Sequence, residues 1–250
     1  MDKAEFWTLL ERSAEETTDP DHRLTWLTHH LSRLSLAHIA DFQLNLAAAR
    51  RPIDTYAMWG AANQILDGLC SSDAFWYFQP WLIGQGQRLW HHVAKNPDNL
   101  ADLPAVRVLA GRSHEEWADA EWPQWEELDY VAADAYGRAP GQSDGLHEAL
   151  DARGHRAYAD PEPNDQPWNS DSLTEIAQRL PRLARLFPYH DSTRIRRSTG
   201  PLGAGIDFGE IRDDAGTKVM WRPLDSFDAR SPLYPAGIVE LLRGETRCRR

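Results

Sequence analysis

Cysteine is scarce in this chain, with Cys70 and Cys248 alone among 250 residues, so a disulfide framework of the secreted type is excluded and a reducing compartment is expected. Apolar runs are short, and none approaches the ~20 residues that a membrane-spanning helix needs. The first residues, Met-Asp-Lys-Ala-Glu-Phe-Trp, lack the basic start and apolar stretch of a secretory leader. Cytoplasm is therefore the expected location, with no membrane partner. Positive charge is also in deficit: the formal net charge is -11. Nucleic-acid affinity rests on neutralising phosphates with Lys and Arg, so nucleic acid is an unlikely bulk partner.

The deficit is uneven. Residues 194 to 250 hold 11 basic against 8 acidic side chains, or +3, which leaves -14 for the preceding residues. Metal-ligand spacing is missing as well. The pairs His29-His30 and His91-His92 diverge by about 100° on a helix, and no H-E-x-x-H or Cys/His pattern occurs, so neither a metal nor a cofactor is expected. Cys70 has no papain-like or caspase-like surround and reads as a small buried thiol. Gly203, Gly205 and Gly209 have the wrong spacing for a dinucleotide loop.

What is present is helical periodicity, and the expected fold class is mainly α: a compact multi-helix domain over 1–190, with a C-terminal extension over 191–250. Asp2 with Glu5 forms a capping-box pattern ahead of Phe6, Leu9 and Leu10. Asp19-Pro20 supplies an N-cap with proline at the first helical position, before Leu24, Leu27, Leu31 and Leu34. Ser35 restarts the pattern, with Ile39, Phe42 and Leu46 leading to Arg50-Arg51-Pro52. From Asp54 to Leu69, an apolar side of Met58, Ala62, Ile65 and Leu69 opposes Asn63, Gln64 and Asp67, which predicts an amphipathic helix.

A long aromatic helix is expected from Asp73 to Val93, with Gly86 as a packing feature within it and a bend at Pro80. Asn96-Pro97 caps a short turn, and a further helix runs to about Tyr136 with Trp125, Leu128, Val131, Ala132, Ala135 and Tyr136 inward. The prolines between Asp160 and Pro167 forbid regular structure. Ser170 or Asp171 then caps a last helix through Leu173, Ile176, Leu180, Leu183 and Leu186, interrupted at Pro181. In the extension, Ile206–Ile211 and Lys218–Arg222 flank Asp213-Asp-Ala-Gly216, a small β-hairpin expected to pack, with a short helix, on the helical domain.

Trp59-Gly-Ala-Ala-Asn63, Asp67-Gly-Leu-Cys70-Ser-Ser-Asp73-Ala-Phe-Trp-Tyr-Phe78 and Trp81-Leu-Ile-Gly-Gln-Gly86 together resemble domain of unknown function 4240. So do Asn96-Pro-Asp-Asn-Leu-Ala-Asp-Leu103 and Glu127-Leu-Asp-Tyr-Val-Ala-Ala-Asp-Ala-Tyr136. The resemblance covers roughly residues 1–138, and Gln79-Pro80 departs from the arginine and non-proline pair more usual there. It implies a helical bacterial intracellular domain and supplies no activity, cofactor or catalytic residue.

Three constellations remain as candidates. Trp81, Gln85, Arg88 and His92 on one helix stripe would suit a carboxylate-bearing or planar small molecule, with Arg88 gripping, Trp81 stacking and His92 exchanging protons. An ordinary helix edge is the plainer alternative. Asn63, Asp67 and Asp73 form a polar group around Gly68, where Asp73 could serve as a cap. Trp117, Trp122 and Trp125 lie among acidic side chains including Glu126, a stretch suited to docking a basic protein partner. The leading expectation is thus a non-catalytic, intracellular protein-binding or regulatory domain; the alternative is a small-molecule binder or enzyme. Arg194, Arg196 and Arg197, with Arg247-Cys-Arg-Arg250, permit a weaker anion contact by the extension alone.

Overall fold

In the computed structural model, residues 1–139, 145–155 and 160–188 are described, and they are mainly helical. The proposed β-hairpin, short helix and arginine clusters of the extension lie outside the described residues.

Local chemistry sets the first three helices. Asp2 and Glu5 complete the capping box that opens α1 (Lys3–Glu16), Asp19 caps α2 (Pro20–Leu31), and Ser35 caps α3 (Leu36–Arg50). Phe6, Leu10, Leu27, Leu31, Ile39, Phe42 and Leu46 all enter one core. A 3-10 turn, Arg51–Ile53, follows α3 where Pro52 ends the helical ladder.

Helix α4 (Tyr56–Ile65) is shorter than its sequence pattern and is not amphipathic. Asn63 and Gln64, expected on a solvated side, are buried, while Leu69 is 49% exposed. The reason is hydrogen bonding. The Asn63 side-chain oxygen accepts the Cys70 N–H at 3.2 Å, and the Gln64 amide N–H donates to the Phe187 carbonyl, so each side chain has a hydrogen-bond partner within the fold, although the Gln64 oxygen has none. Asp67 and Gly68 both take positive φ, at 46° and 78°, and turn the chain towards α5 (Ser72–Gly84).

Ser71, rather than Asp73, caps α5, and Asp73 sits exposed in its first turn. The helix continues through Pro80. It does not run on to Val93: Gly86 adopts φ 92°, ends the segment, and starts α6 (Gln87–Lys95). Glu11 of α1 accepts the Gln87 N–H at 3.0 Å, so a carboxylate from another helix caps α6 where no local side chain does. A 3-10 segment (Pro97–Asp102), α7 (Pro104–Arg107) and two further 3-10 turns (His114–Glu116 and Asp119–Glu121) follow.

All six residues expected inward between Trp125 and Tyr136 are buried, although a 3-10 turn (Glu126–Asp129) precedes α8 (Val131–Arg138) in place of one continuous helix. Helix α9 (Leu146–Asp151), absent from the sequence reading, packs on α3 and α8, and Arg153 just after it pairs with Asp41 at 2.6 Å. Residues 160–168 are irregular, as their prolines require. Ser172, not Ser170 or Asp171, caps α10 (Leu173–Arg179), and α11 (Leu183–Leu186) follows Pro181. Ile176, Leu180 and Leu183 join the same core as α1 to α8.

One buried cation crosses that core. Arg23 of α2 donates to Ser13 Oγ at 3.1 Å and to the Gly84 carbonyl, in the last turn of α5, at 3.0 Å. Its guanidinium lies 4.5 Å from the Trp125 ring. Burial lowers its pKa to about 10, so it stays charged at neutral pH and is balanced by a helix C-terminus and a π face. Arg23→Ala leaves the Gly84 carbonyl and the Trp125 face uncompensated and should cost about 2–4 kcal/mol. A thermal melt should show Tm falling by roughly 5–10 °C.

Candidate functional site

A buried polar arrangement lies where α3, α5 and the Glu126–Asp129 turn meet, and its core members, Arg50, Asp54, Gln79 and Asp129, are not among the site candidates that the sequence suggests. Arg50, at the end of α3, is buried. Its Nη2 donates to both Asp129 oxygens, at 2.7 and 2.8 Å, and its guanidinium stacks 3.5 Å from the centre of the Trp76 ring. Trp76 also hydrogen-bonds Asp129. Asp54 lies within electrostatic reach of Arg50, and accepts from Gln79 Nε2 at 3.0 Å and from the Glu162 N–H at 2.8 Å. Gln79 is wholly buried.

A sequence signal existed for two of these. Arg50 continues the Phe42–Leu46 stripe of α3, and Gln79 stands four residues after Phe75 on α5, so both are polar residues on apolar stripes. Asp54 and Asp129 carried no such mark.

Electrostatics describe the cluster further. Burial raises the Asp129 carboxyl above its usual range against the pull of Arg50, and lowers the Arg50 guanidinium. Burial also raises Asp54, opposed by the hydrogen bonds from Glu162 and Gln79 and by Arg50. Closed side chains of this kind hold elements together, and Arg50 and Gln79 offer no open face to a reactant.

The sequence-derived candidates are distributed differently. The turn at Gly86 removes Trp81 and Gln85 from any common helix stripe with Arg88 and His92. Trp81 is buried against Phe78, ring centres 5.2 Å apart, and the Gln85 amide donates to its carbonyl at 3.3 Å. Arg88 and His92 are exposed on α6. His92 Nε2 bonds Asp102 at 2.9 Å, and Asp102 also takes the Arg182 guanidinium; these two bonds hold the Asp102 carboxyl far below the usual carboxylate range.

Asn63 is inside, Asp67 half-buried and Asp73 exposed. Trp117 is buried, packed edge-on to Trp122 at 5.1 Å, and Trp122 and Glu126 are half-buried. Cys70 is buried; its carbonyl accepts the Trp59 indole N–H at 2.9 Å, and desolvation pushes its thiol well above the usual range. Among the described residues, no group of three or more His, Cys, Asp or Glu could hold a metal ion, and no helix is long and apolar enough to cross a membrane.

Over the described residues these observations define a mainly helical domain in which buried Arg50 is paired with Asp129 and lies within electrostatic reach of Asp54. The family model described as protein of unknown function (DUF4240) matches residues 1–138, more than half of the 250, and the chain belongs to that family. No curated protein and no solved structure matches it.

Two outcomes follow from the titrating groups. A carboxyl raised by folding is charged in the fold at a cost, so the Asp54 penalty is present at neutral pH and fades as pH falls through its raised pKa towards the unfolded value. Asp54→Asn removes this pH-dependent penalty but turns an amide N–H towards the Gln79 or Glu162 donor and takes a negative charge from beside Arg50, so Tm should fall at pH 7 and fall further relative to the wild type as melts are repeated towards pH 4. In a Cys248→Ser background, Cys70 should resist maleimide until denaturant unfolds the chain; rapid labelling of the folded protein would contradict its burial.

Proposed function

We propose that this chain is a non-catalytic, cytoplasmic protein-binding domain whose partner meets an acidic, aromatic surface on α5 and the Glu126–Asp129 turn. The observation that carries the reading is Tyr130. It is 53% exposed, and its hydroxyl donates to Glu126 at 3.0 Å. Tyr77 also hydrogen-bonds Glu126 and feels the charges of Asp73 and Tyr130, while Glu127 and Asp129 act on Tyr130.

Both phenols are pushed up to about 12, by partial burial first and then by Glu126. The pair thus reports a negative field over a surface that also offers aromatic area. Such a surface suits a basic partner, since complementary charge steers encounter and aromatic side chains anchor interface cores. The half-buried Trp122 is a further aromatic in the acidic stretch before this turn. Support for a non-catalytic role comes from Cys70, enclosed and protonated, and from His92, held by an Asp102 that already pairs with Arg182.

Calorimetric titration with a twelve-residue peptide of alternating Arg and Leu tests the idea. Glu126→Lys and Tyr130→Ala should each weaken binding about tenfold, or ~1.4 kcal/mol. Glu15→Lys on α1 makes the same change in net charge and should have less than about a twofold effect by the same scale. Equal losses for Glu15→Lys and Glu126→Lys would reduce the surface to bulk charge and sink the proposal.

A further inference from the structure

The start of α4 carries a second feature, built from residues separate from the acidic surface. Thr55 caps the helix through the Met58 N–H at 3.0 Å, which leaves the N–H groups of Tyr56 and Ala57 for another acceptor. Asp165 takes both, one with each oxygen, at 2.5 and 3.1 Å. Three residues later the Trp168 indole N–H donates to the Tyr56 carbonyl at 3.0 Å, and the ring lies against Gly60. A Cβ on Gly60 would stand 2.1 Å from Cζ2 of that ring, so only glycine leaves room for it. Arg179 covers the ring from 5.2 Å.

The main chain is read as well. The Asn164 N–H donates to the Asp54 carbonyl at 3.1 Å, its side-chain amide donates to the Arg51 carbonyl at 3.0 Å, and the Glu162 N–H reaches the Asp54 carboxylate. An irregular, proline-rich segment is thus bound as an extended peptide would be, by backbone bonds, one carboxylate and one tryptophan.

The following helices touch this segment through Arg179 but also have anchors of their own. Buried Asp98 accepts the Arg182 and Leu183 N–H groups at the start of α11, and Ile176, Leu180 and Leu183 fill the core. The Asp98 bonds involve none of residues 160–168.

We infer that the first turn of α4, with Gly60, is a recognition slot for a peptide bearing an aspartate and, three positions on, a tryptophan, and that Asp165–Trp168 is its resident occupant, displaceable without unfolding the helical body. The partner it fits is a protein with an extended acidic segment of that pattern. A tethered occupant is present at roughly millimolar effective concentration, so a free peptide is detected only once the resident side chains are gone.

The test uses the full chain carrying both Asp165→Ala and Trp168→Ala, with a labelled synthetic peptide of residues 160–170 as the probe in fluorescence anisotropy. The double variant should keep its helical circular dichroism and bind the peptide at least tenfold more tightly than the wild type does. Adding Gly60→Ala should abolish that binding. Gly60→Ala alone should raise hydrogen exchange across residues 160–168 while α1 to α6 stay protected. Global unfolding of both variants would overturn the inference by showing the segment to be inseparable from the core. A folded double variant that ignores the peptide, or binding that survives Gly60→Ala, would equally overturn it.

Discussion

The fold turns on the burial of the Arg50 guanidinium. Removing a cation from water is costly unless it is paired and hydrogen-bonded, and here the compensation comes from three parts of the chain: Asp129 from the turn before α8, the Trp76 ring from α5, and Asp54 from the turn after α3. Each partner belongs to a different element, so satisfying the charge fixes their mutual positions. Asp54 then extends the same network outward, because its second oxygen accepts the Glu162 N–H and so ties residues beyond the family region to the core.

Arg23 solves the same problem by other means. It has no carboxylate among its hydrogen-bond partners and relies on the Gly84 carbonyl and the Trp125 face. Hydrophobic burial by the aromatic core supplies the driving force, while these two arginines specify which helices meet and where. Gly84 shows how close the fit is, since a Cβ there would lie 2.6 Å from the Trp125 ring.

Elements whose boundaries depend on neighbouring residues were legible in the sequence. The caps at Asp2, Asp19 and Ser35 and the inward set from Trp125 to Tyr136 are local facts, and the structure places them as the sequence implied. Features decided at a distance were not. Asn63 and Gln64 look solvated until Cys70 and Phe187 are known to partner them, and Gly86 looks like helix until Glu11 is seen capping the residue after it. The turn at Gly86 likewise divides Trp81 and Gln85 on α5 from Arg88 and His92 on α6, so the four share no single helix stripe. The family resemblance was legible over its whole span yet carried no chemistry with it.

The late-arriving partners of Asp54 and Asp98 bear on how the molecule is made. Glu162 pairs with a residue 108 positions earlier and Arg182 with one 84 positions earlier, so these contacts close only after most of the described chain exists. During synthesis the helices of the family region emerge first, with the Gly60 surface and the Asp54 and Asp98 carboxylates still uncovered. Pairings of such long span form slowly and expose apolar surface meanwhile. Between translation of Ile65 and of Leu183, the Gly60 surface and these two carboxylates therefore lack the partners that cover them in the finished fold.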